Sequence, residues 1–304
     1  MMPLRAPTRA RRAGGFTLVE AILVIVIIGI IGAIVAVFIR APVQGYVDSA
    51  ERAAASDEAD LALRRIARDL RLALPNSVRV SGDGSAIEFL LTSTGGRYLA
   101  VEDDVPGLPP LDFDDPGQRQ FAVIGGTMQP IQVGNYIVVY NLGEGIPPSD
   151  AYRYRGGIDA ANGFDINIAR VSGVDLGNPD IPLVTLEDNP FARQSVPMPS
   201  PGRRFQVVTT PVTYRCAPMA DGGLALVRHW DYPIAALQSA PPQGGARQAS
   251  IATRVDACGG IFQYGSDASR RSGLIVLNLP LRVRSGGVNS VLRLVHQVHV
   301  DNTP

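Results

Sequence analysis

Gly14-Gly15-Phe16-Thr17-Leu18-Val19-Glu20 opens the run that decides how this 304-residue chain is organised. Residues 21–39 follow without a single charge, dominated by Ile and Val and interrupted only by Gly29 and Gly32. Counted from Phe16, the segment to Ile39 holds 24 residues. As a helix it extends roughly 36 Å, against a bilayer hydrocarbon core of about 30 Å. One span is therefore expected, with Arg40 free to snorkel at the far face. Arg5, Arg9, Arg11 and Arg12 precede it, where positive charge holds an N-terminus in the cytoplasm. In an ordinary secretory signal the small cleavage residues follow the apolar region; here Gly14-Gly15 precede it, so a cut there keeps the apolar helix on the protein.

Glu20 stands out on physical grounds. An ionisable group in a spanning helix costs roughly 2.5–3.5 kcal/mol near the bilayer centre, less toward an edge, and calls for a partner. Gly15, Phe16, Thr17, Leu18 and Glu20 in register, with a basic leader before and a span after, closely resemble the type IV prepilin family, or class III signal peptides. The resemblance implies that a membrane-embedded prepilin peptidase cuts between Gly15 and Phe16 and that Phe16 becomes the methylated N-terminus. It also implies that Glu20 pairs with the N-terminal amine of a neighbouring subunit. The residues themselves leave two other readings open. Phe16 and Glu20 are four apart, the spacing of one helix face, which allows a pairing within the subunit, and Glu20 can also snorkel at the interface.

Beyond the span, Pro42 is expected to bend or locally open the helix. Helical spacing then resumes through Val47, Ala50 and Ala54, and later Leu63, Ile66, Leu70 and Leu74, with Asp60 and Arg64 a favourable pair four apart. Pro75 ends the helix near Leu74. From Asn76 onward short extended runs alternate with Gly, Pro, Asn and Asp. Candidate strands are residues 87–91, 136–140, 205–208, 212–216, 224–229, 251–255, 274–279 and 291–300. The Pro- and Gly-rich stretch from about 102 to 201 reads as long loops or an inserted subdomain. The expected fold is α+β and pilin-like. Its parts are a leader at 1–15, a transmembrane helix at 16–40, an amphipathic continuation at 41–75 and a β-rich head at 76–304.

Residues 41–48, 62–70, 74–79 and 296–304, with Val212-Thr213-Tyr214-Arg215-Cys216 and Cys258, look like the MshO family. Its members are minor pilin-like components for biogenesis of the mannose-sensitive haemagglutinin (MSHA) type IV pilus. The resemblance implies a subunit acting in the initiation or tip complex of such a filament. Its partners would be the inner membrane, the prepilin peptidase and other pilin or pseudopilin subunits. The protein would sit in the inner membrane as a single-pass protein with its head in the periplasm, and then in the filament. A minor pseudopilin of a type II secretion system obeys the same physics, and a pilus-tip adhesin with a ligand-binding middle region is a third reading.

Composition narrows the chemistry. With 46% hydrophobic and 18% charged residues the chain can bury a substantial core. Lys+Arg and Asp+Glu both number 28, so removing the four leader arginines leaves about −4, no footprint for nucleic acid. Cys216 and Cys258 in an exported head read as a disulfide, with two buried free thiols as the alternative. His296 and His299, three apart on a strand, face opposite sides, and His229 is isolated in sequence. Glu102, Asp103, Asp104, Asp112, Asp114 and Asp115 read as solvated acidic loops rather than a calcium site, since EF-hand spacing is absent. Neither zinc-ligand spacing, a nucleophile elbow nor a phosphate-binding loop is present, so no catalytic residue, metal or cofactor is expected.

Overall fold

The computed structural model describes residues 15–154, 165–265, 272–285 and 288–304. The leader arginines and Gly14 lie outside the described residues. One helix, α1, runs from Leu18 to Arg71, 54 residues, about 81 Å at the usual rise. Its first part presents apolar side chains on every face: Leu18, Val19, Ile25 and Phe38 are all at least 70% exposed. A helix apolar all round belongs in lipid or against other helices. Gly and β-branched residues do not break it, because the i→i−4 ladder is the only arrangement that pairs every backbone group without water.

The helix runs without interruption through Pro42, so the expected local opening does not occur. Pro42 removes one donor, and the turns on either side hold the rest. The buried stripe also starts later than the spacing implied. Val47, Ala50 and Ala54 are exposed, and burial begins at Ala55 and continues through Ala59, Ala62, Leu63, Ile66, Ala67 and Leu70. Small residues lead this stripe, which lets the helix approach the sheet closely before the larger side chains fill the core. Asp60 and Arg64 pair at 2.7 Å on the solvent side. Regular helix ends at Arg71, short of Leu74, because the next residues turn to the sheet. The N–H of Thr92 donates to the Leu72 carbonyl and that of Leu74 to the Leu90 carbonyl, both at 2.8 Å.

The head is built from strands β1 (Arg79–Val80), β2 (Ala86–Tyr98), β3 (Gln120–Ile124), β4 (Tyr136–Val138), β5 (Ile168–Asp175), β6 (Leu183–Leu186), β7 (Arg204–Pro218), β8 (Leu224–Trp230), β9 (Arg247–Val255), β10 (Phe262–Gly265), β11 (Ser272–Ser285) and β12 (Val288–Asp301). All pairings are antiparallel. Against α1 lie β2, β9, β11 and β12. Ile66, Leu70, Phe89, Tyr214, Leu226, Phe262, Leu279 and Val298 share one core there. Residues 205–208 and 212–216, read as two strands, form one. Pro211 has no N–H for a ladder, and it sits beside a bulge in β7, where Leu91 pairs with Thr210 and Thr92 with Val208, leaving Thr209 as the extra residue.

The middle region is a second module with its own core. β3 leaves the end of β2 at Arg97↔Ile124, β6 pairs with β3 and β5, and β4 links β5 back to β7. Phe121, Val171, Val184, Phe191 and Phe205 fill it. Here the sequence pattern was an incomplete guide. β3 and β6 are short, and β5 shifts register between Val171 and Gly173, which breaks its alternation. A third cluster, including Leu74, Leu90, Tyr152, Val208 and Ile234, fills the junction between the two modules.

Candidate functional site

The sequence points to residues 15–20 and the helix they begin. Gly15, Phe16 and Thr17 are not helical, and Thr17 is the N-cap, with φ −83° and ψ 150°. Its hydroxyl accepts a hydrogen bond from the Glu20 N–H at 3.3 Å, and its carbonyl accepts from Ala21 N–H at 3.1 Å. Thr17-Leu18-Val19-Glu20 thus has the spacing of a capping box, with Thr17 satisfying one of the free donors of the first turn. That signal was present in the sequence and was not read. The Gly15–Phe16 bond therefore precedes the hydrogen-bonded helix, outside regular structure. Phe16 lies outside the helix, so the helical-face argument for a pairing within the subunit does not hold in this arrangement. Among the described residues the Glu20 carboxylate has no ion-pair partner, and the surrounding side chains are exposed.

At its other end the helix is tied to the head by polar contacts that span the sequence. Asp69 Oδ2 accepts from Arg228 Nε at 2.8 Å and from the Tyr214 hydroxyl at 2.7 Å, all three side chains being buried. Burial first, and the Asp69 charge second, raise the Tyr214 phenol well above its usual range, so it is a donor at any physiological pH. Arg254 on β9 reaches Glu51 at 3.0 Å and Glu58 at 3.4 Å. Beyond the helix end, Asn76 donates through Nδ2 to the Asn302 carbonyl at 3.0 Å and to the Asn141 carbonyl at 2.9 Å. None of these partners was legible from sequence, since each pair is joined only by the fold.

Cys216 on β7 and Cys258, three residues past β9, are bonded, with Cα atoms 5.3 Å apart. They sit beside the core that receives the helix. His296 lies on the inner side of β12 and His299 on the outer side. His229 is buried on β8 and accepts from Arg215 Nε at 3.3 Å; burial, and then the Arg215 charge, lower its pKa. The acidic loops spend their carboxylates on backbone. Asp112 accepts from the N–H groups of Asp114 and Asp115, Asp115 from Gly117, and Asp103 from Ala100 while also meeting Arg203. No group of three or more His, Cys, Asp or Glu side chains arranged for a metal ion occurs among the described residues.

An unburied apolar helix, capped by Thr17 and preceded by the non-helical Gly15-Phe16, is the geometry that the comparison with known families meets. Residues 10–36 match the family described as the prokaryotic N-terminal methylation motif. The chain carries a type IV prepilin signal. The motif supports a pilin-like or pseudopilin subunit, and it implies processing by prepilin peptidase and association with the membrane. With the one apolar N-terminal helix it indicates a single-pass membrane anchor, and it points to a structural subunit rather than an enzyme. The α+β arrangement of that long helix on an antiparallel β-rich head is pilin-like. Neither a curated protein nor a solved structure matches the chain.

Proposed function

We propose that this protein is a minor type IV pilin-like subunit that acts in the initiation or tip complex of an MSHA-type pilus. The observation that carries the reading is continuity: the methylation motif at residues 10–36 runs directly into a helix that continues unbroken to Arg71 and is bonded into the head. In this reading the leader, residues 1–15, holds the N-terminus in the cytoplasm until prepilin peptidase cuts after Gly15. Phe16 is then methylated, and Glu20 meets the N-terminal amine of a neighbour. The desolvation cost of a carboxylate in lipid falls when such a pair forms, which sets the register of one helix against the next. The head stays in the periplasm and moves into the filament with its helix. The MSHA assignment rests on the resemblance of residues 41–48, 62–70, 74–79 and 296–304 to the MshO family.

The test is quantitative mass spectrometry of sheared filaments and of the cell membrane, together with deletion of the protein. A trace of processed protein in the filaments, and loss of filaments on deletion, is the expected result. Abundance comparable with the main filament protein overturns the minor role. Loss of protein secretion with filaments intact moves the assignment to a type II secretion pseudopilus.

A further inference from the structure

A cleft of about 950 Å³ lies where the two modules of the head meet, formed by β4, β5 and the bulged part of β7 on one side and by the long connection between β8 and β9 on the other. We propose that it is a binding site for a neutral saccharide. The proposal does not depend on the assembly reading.

The floor is a row across neighbouring strands. Tyr136 on β4 is the register partner of Arg170 on β5 and of Val208 on β7. Tyr154 packs edge-on against Tyr136, with centroids 4.9 Å apart and planes at 73°. Tyr154 is buried and Tyr136 half-buried, so the pair offers one ring as a platform. Tyr232, which also lines the cleft, is buried like Tyr154, so a quaternary ammonium, which needs two or more converging aromatic faces, meets one half-buried ring. Beside the ring, Arg170 Nη1 meets Glu187 Oε1 at 3.2 Å, both half-exposed. Gly134, at φ +89°, leaves room there: a Cβ on it would stand 3.8 Å from Arg170 Nη2.

The opposite wall is the 16-residue connection from Asp231 to Ala246, which has no regular structure. Connections of this length in a compact domain commonly carry function. It is nevertheless held in place. The Asp231 N–H donates to Thr210 Oγ1 at 2.7 Å, and Tyr232 Oη lies 2.6 Å from Thr213 Oγ1. Buried Arg79 donates to the carbonyls of Ala235 and Ala236 at 2.9 and 2.8 Å. Arg79 is itself fixed by Glu88 at 3.1 Å and by the Tyr152 ring, 3.7 Å away. The cleft therefore exists before any ligand arrives, which lowers the cost of binding.

The chemistry of the lining selects the ligand class. Among the described residues Arg170 is the sole cation lining the cleft, and Glu187 already compensates it, while Asp231 adds a negative charge. Phosphates, sulfates and other anions are therefore disfavoured. Guanidinium, carboxylate and the Gln243 amide offer donors and acceptors together around one aromatic face. That combination matches a sugar ring, whose C–H face lies on an aromatic ring while its hydroxyls both donate and accept.

The experiment uses the full processed protein in nanodiscs, titrated with cellotriose, chitotriose and maltotriose by calorimetry. A sialylated trisaccharide and a proline-rich decapeptide serve as the other arms. Trp230, the only tryptophan, adjoins Asp231 and gives a second signal. At least one neutral trisaccharide is expected to bind with a dissociation constant of about 1 mM or tighter, and Tyr136→Ala to weaken it at least tenfold. Because Tyr136 also packs on Tyr154, Arg170→Gln and Glu187→Gln, at half-exposed positions, provide the same test without threatening the fold. The proposal is overturned if no neutral trisaccharide binds, if binding is unchanged in Arg170→Gln and Glu187→Gln, or if only the peptide or the sialylated sugar binds.

Discussion

Asp69, near the end of the long helix, meets Arg228 of β8 through Oδ2 and Nε at 2.8 Å, across 159 positions of sequence. The pair is nearly closed to solvent, with side chains 10% and 9% exposed. Removing one partner strands a buried charge, which typically costs about 3–5 kcal/mol. Asp69→Ala is therefore expected to lower the denaturant midpoint of the full-length protein by that equivalent. The double change Asp69→Leu with Arg228→Met, which removes both charges, is expected to restore most of the loss. If the double variant is no more stable than the single one, the pair is not what limits stability here.

The Cys216–Cys258 bond closes a loop of 42 residues. In the chain-entropy model such a loop contributes about 4 kcal/mol, often less in practice. Reduction, or Cys216→Ser with Cys258→Ser, should lower the unfolding midpoint accordingly. Peptide mapping without reductant, on protein taken directly from the envelope, should recover the linked peptides; quantitative alkylation of both thiols would rule the bond out.

Cleavage after Gly15 is expected because the small pair Gly14-Gly15 lies between the basic leader and the apolar helix. Intact mass of the mature protein is expected to show loss of residues 1–15 and a methyl group on Phe16. Replacing Gly15 with Val should leave the leader attached. Detection of the leader on mature protein in cells with active peptidase, or a cut beyond Ile39, contradicts the assignment.

Glu20 should act after processing. Glu20→Ala leaves the leader and apolar run unchanged, so insertion and cleavage are expected to persist while incorporation into the filament falls. Glu20→Gln, close in size, separates charge from packing. Normal incorporation of either variant would remove charge pairing from the mechanism.

Stability should also depend on pH through His229, whose pKa is lowered by burial and by Arg215. Between the ordinary imidazole value of 6.5 and the lower folded value, the unfolded chain binds the proton and the folded one does not. Stability is thus fully present above that window and is lost as pH falls through it. His229→Gln should flatten this part of the profile, measured as unfolding midpoint against pH from 7.5 to about 5.

Much of this architecture is written locally. Nineteen uncharged residues after Glu20, the period-three-and-four spacing of Leu63, Ile66 and Leu70, and the alternation in the last strand each follow from neighbours in sequence. What escaped reading depends on the fold. Pro211 was not read as strand interior because its tolerance goes with a bulge at Thr209, which shows only in the pairing of β7 with β2. In the second module β4 was legible, whereas β3 and β6 were hidden by their brevity and β5 by the shift at Gly173. Val47, Ala50 and Ala54 had the right spacing but have no sheet beneath them. At the site itself, Gly15, Phe16 and Glu20 stood out at once, whereas the Thr17 cap was overlooked and the Asp69–Arg228 tie could not be seen, its partners being distant in sequence.

The way α1 is fastened also governs how the head bears tension. A pull along the helix axis meets Glu51 and Glu58 on Arg254, Asp69 on Arg228, and the Ala55-to-Leu70 stripe on the sheet, all loaded side by side. Such contacts resist sliding together and do not open one after another. Should the sheet yield, the cysteine bond withholds the 42-residue segment from extension. Roughly 140 Å of contour length then stays out of reach of the load.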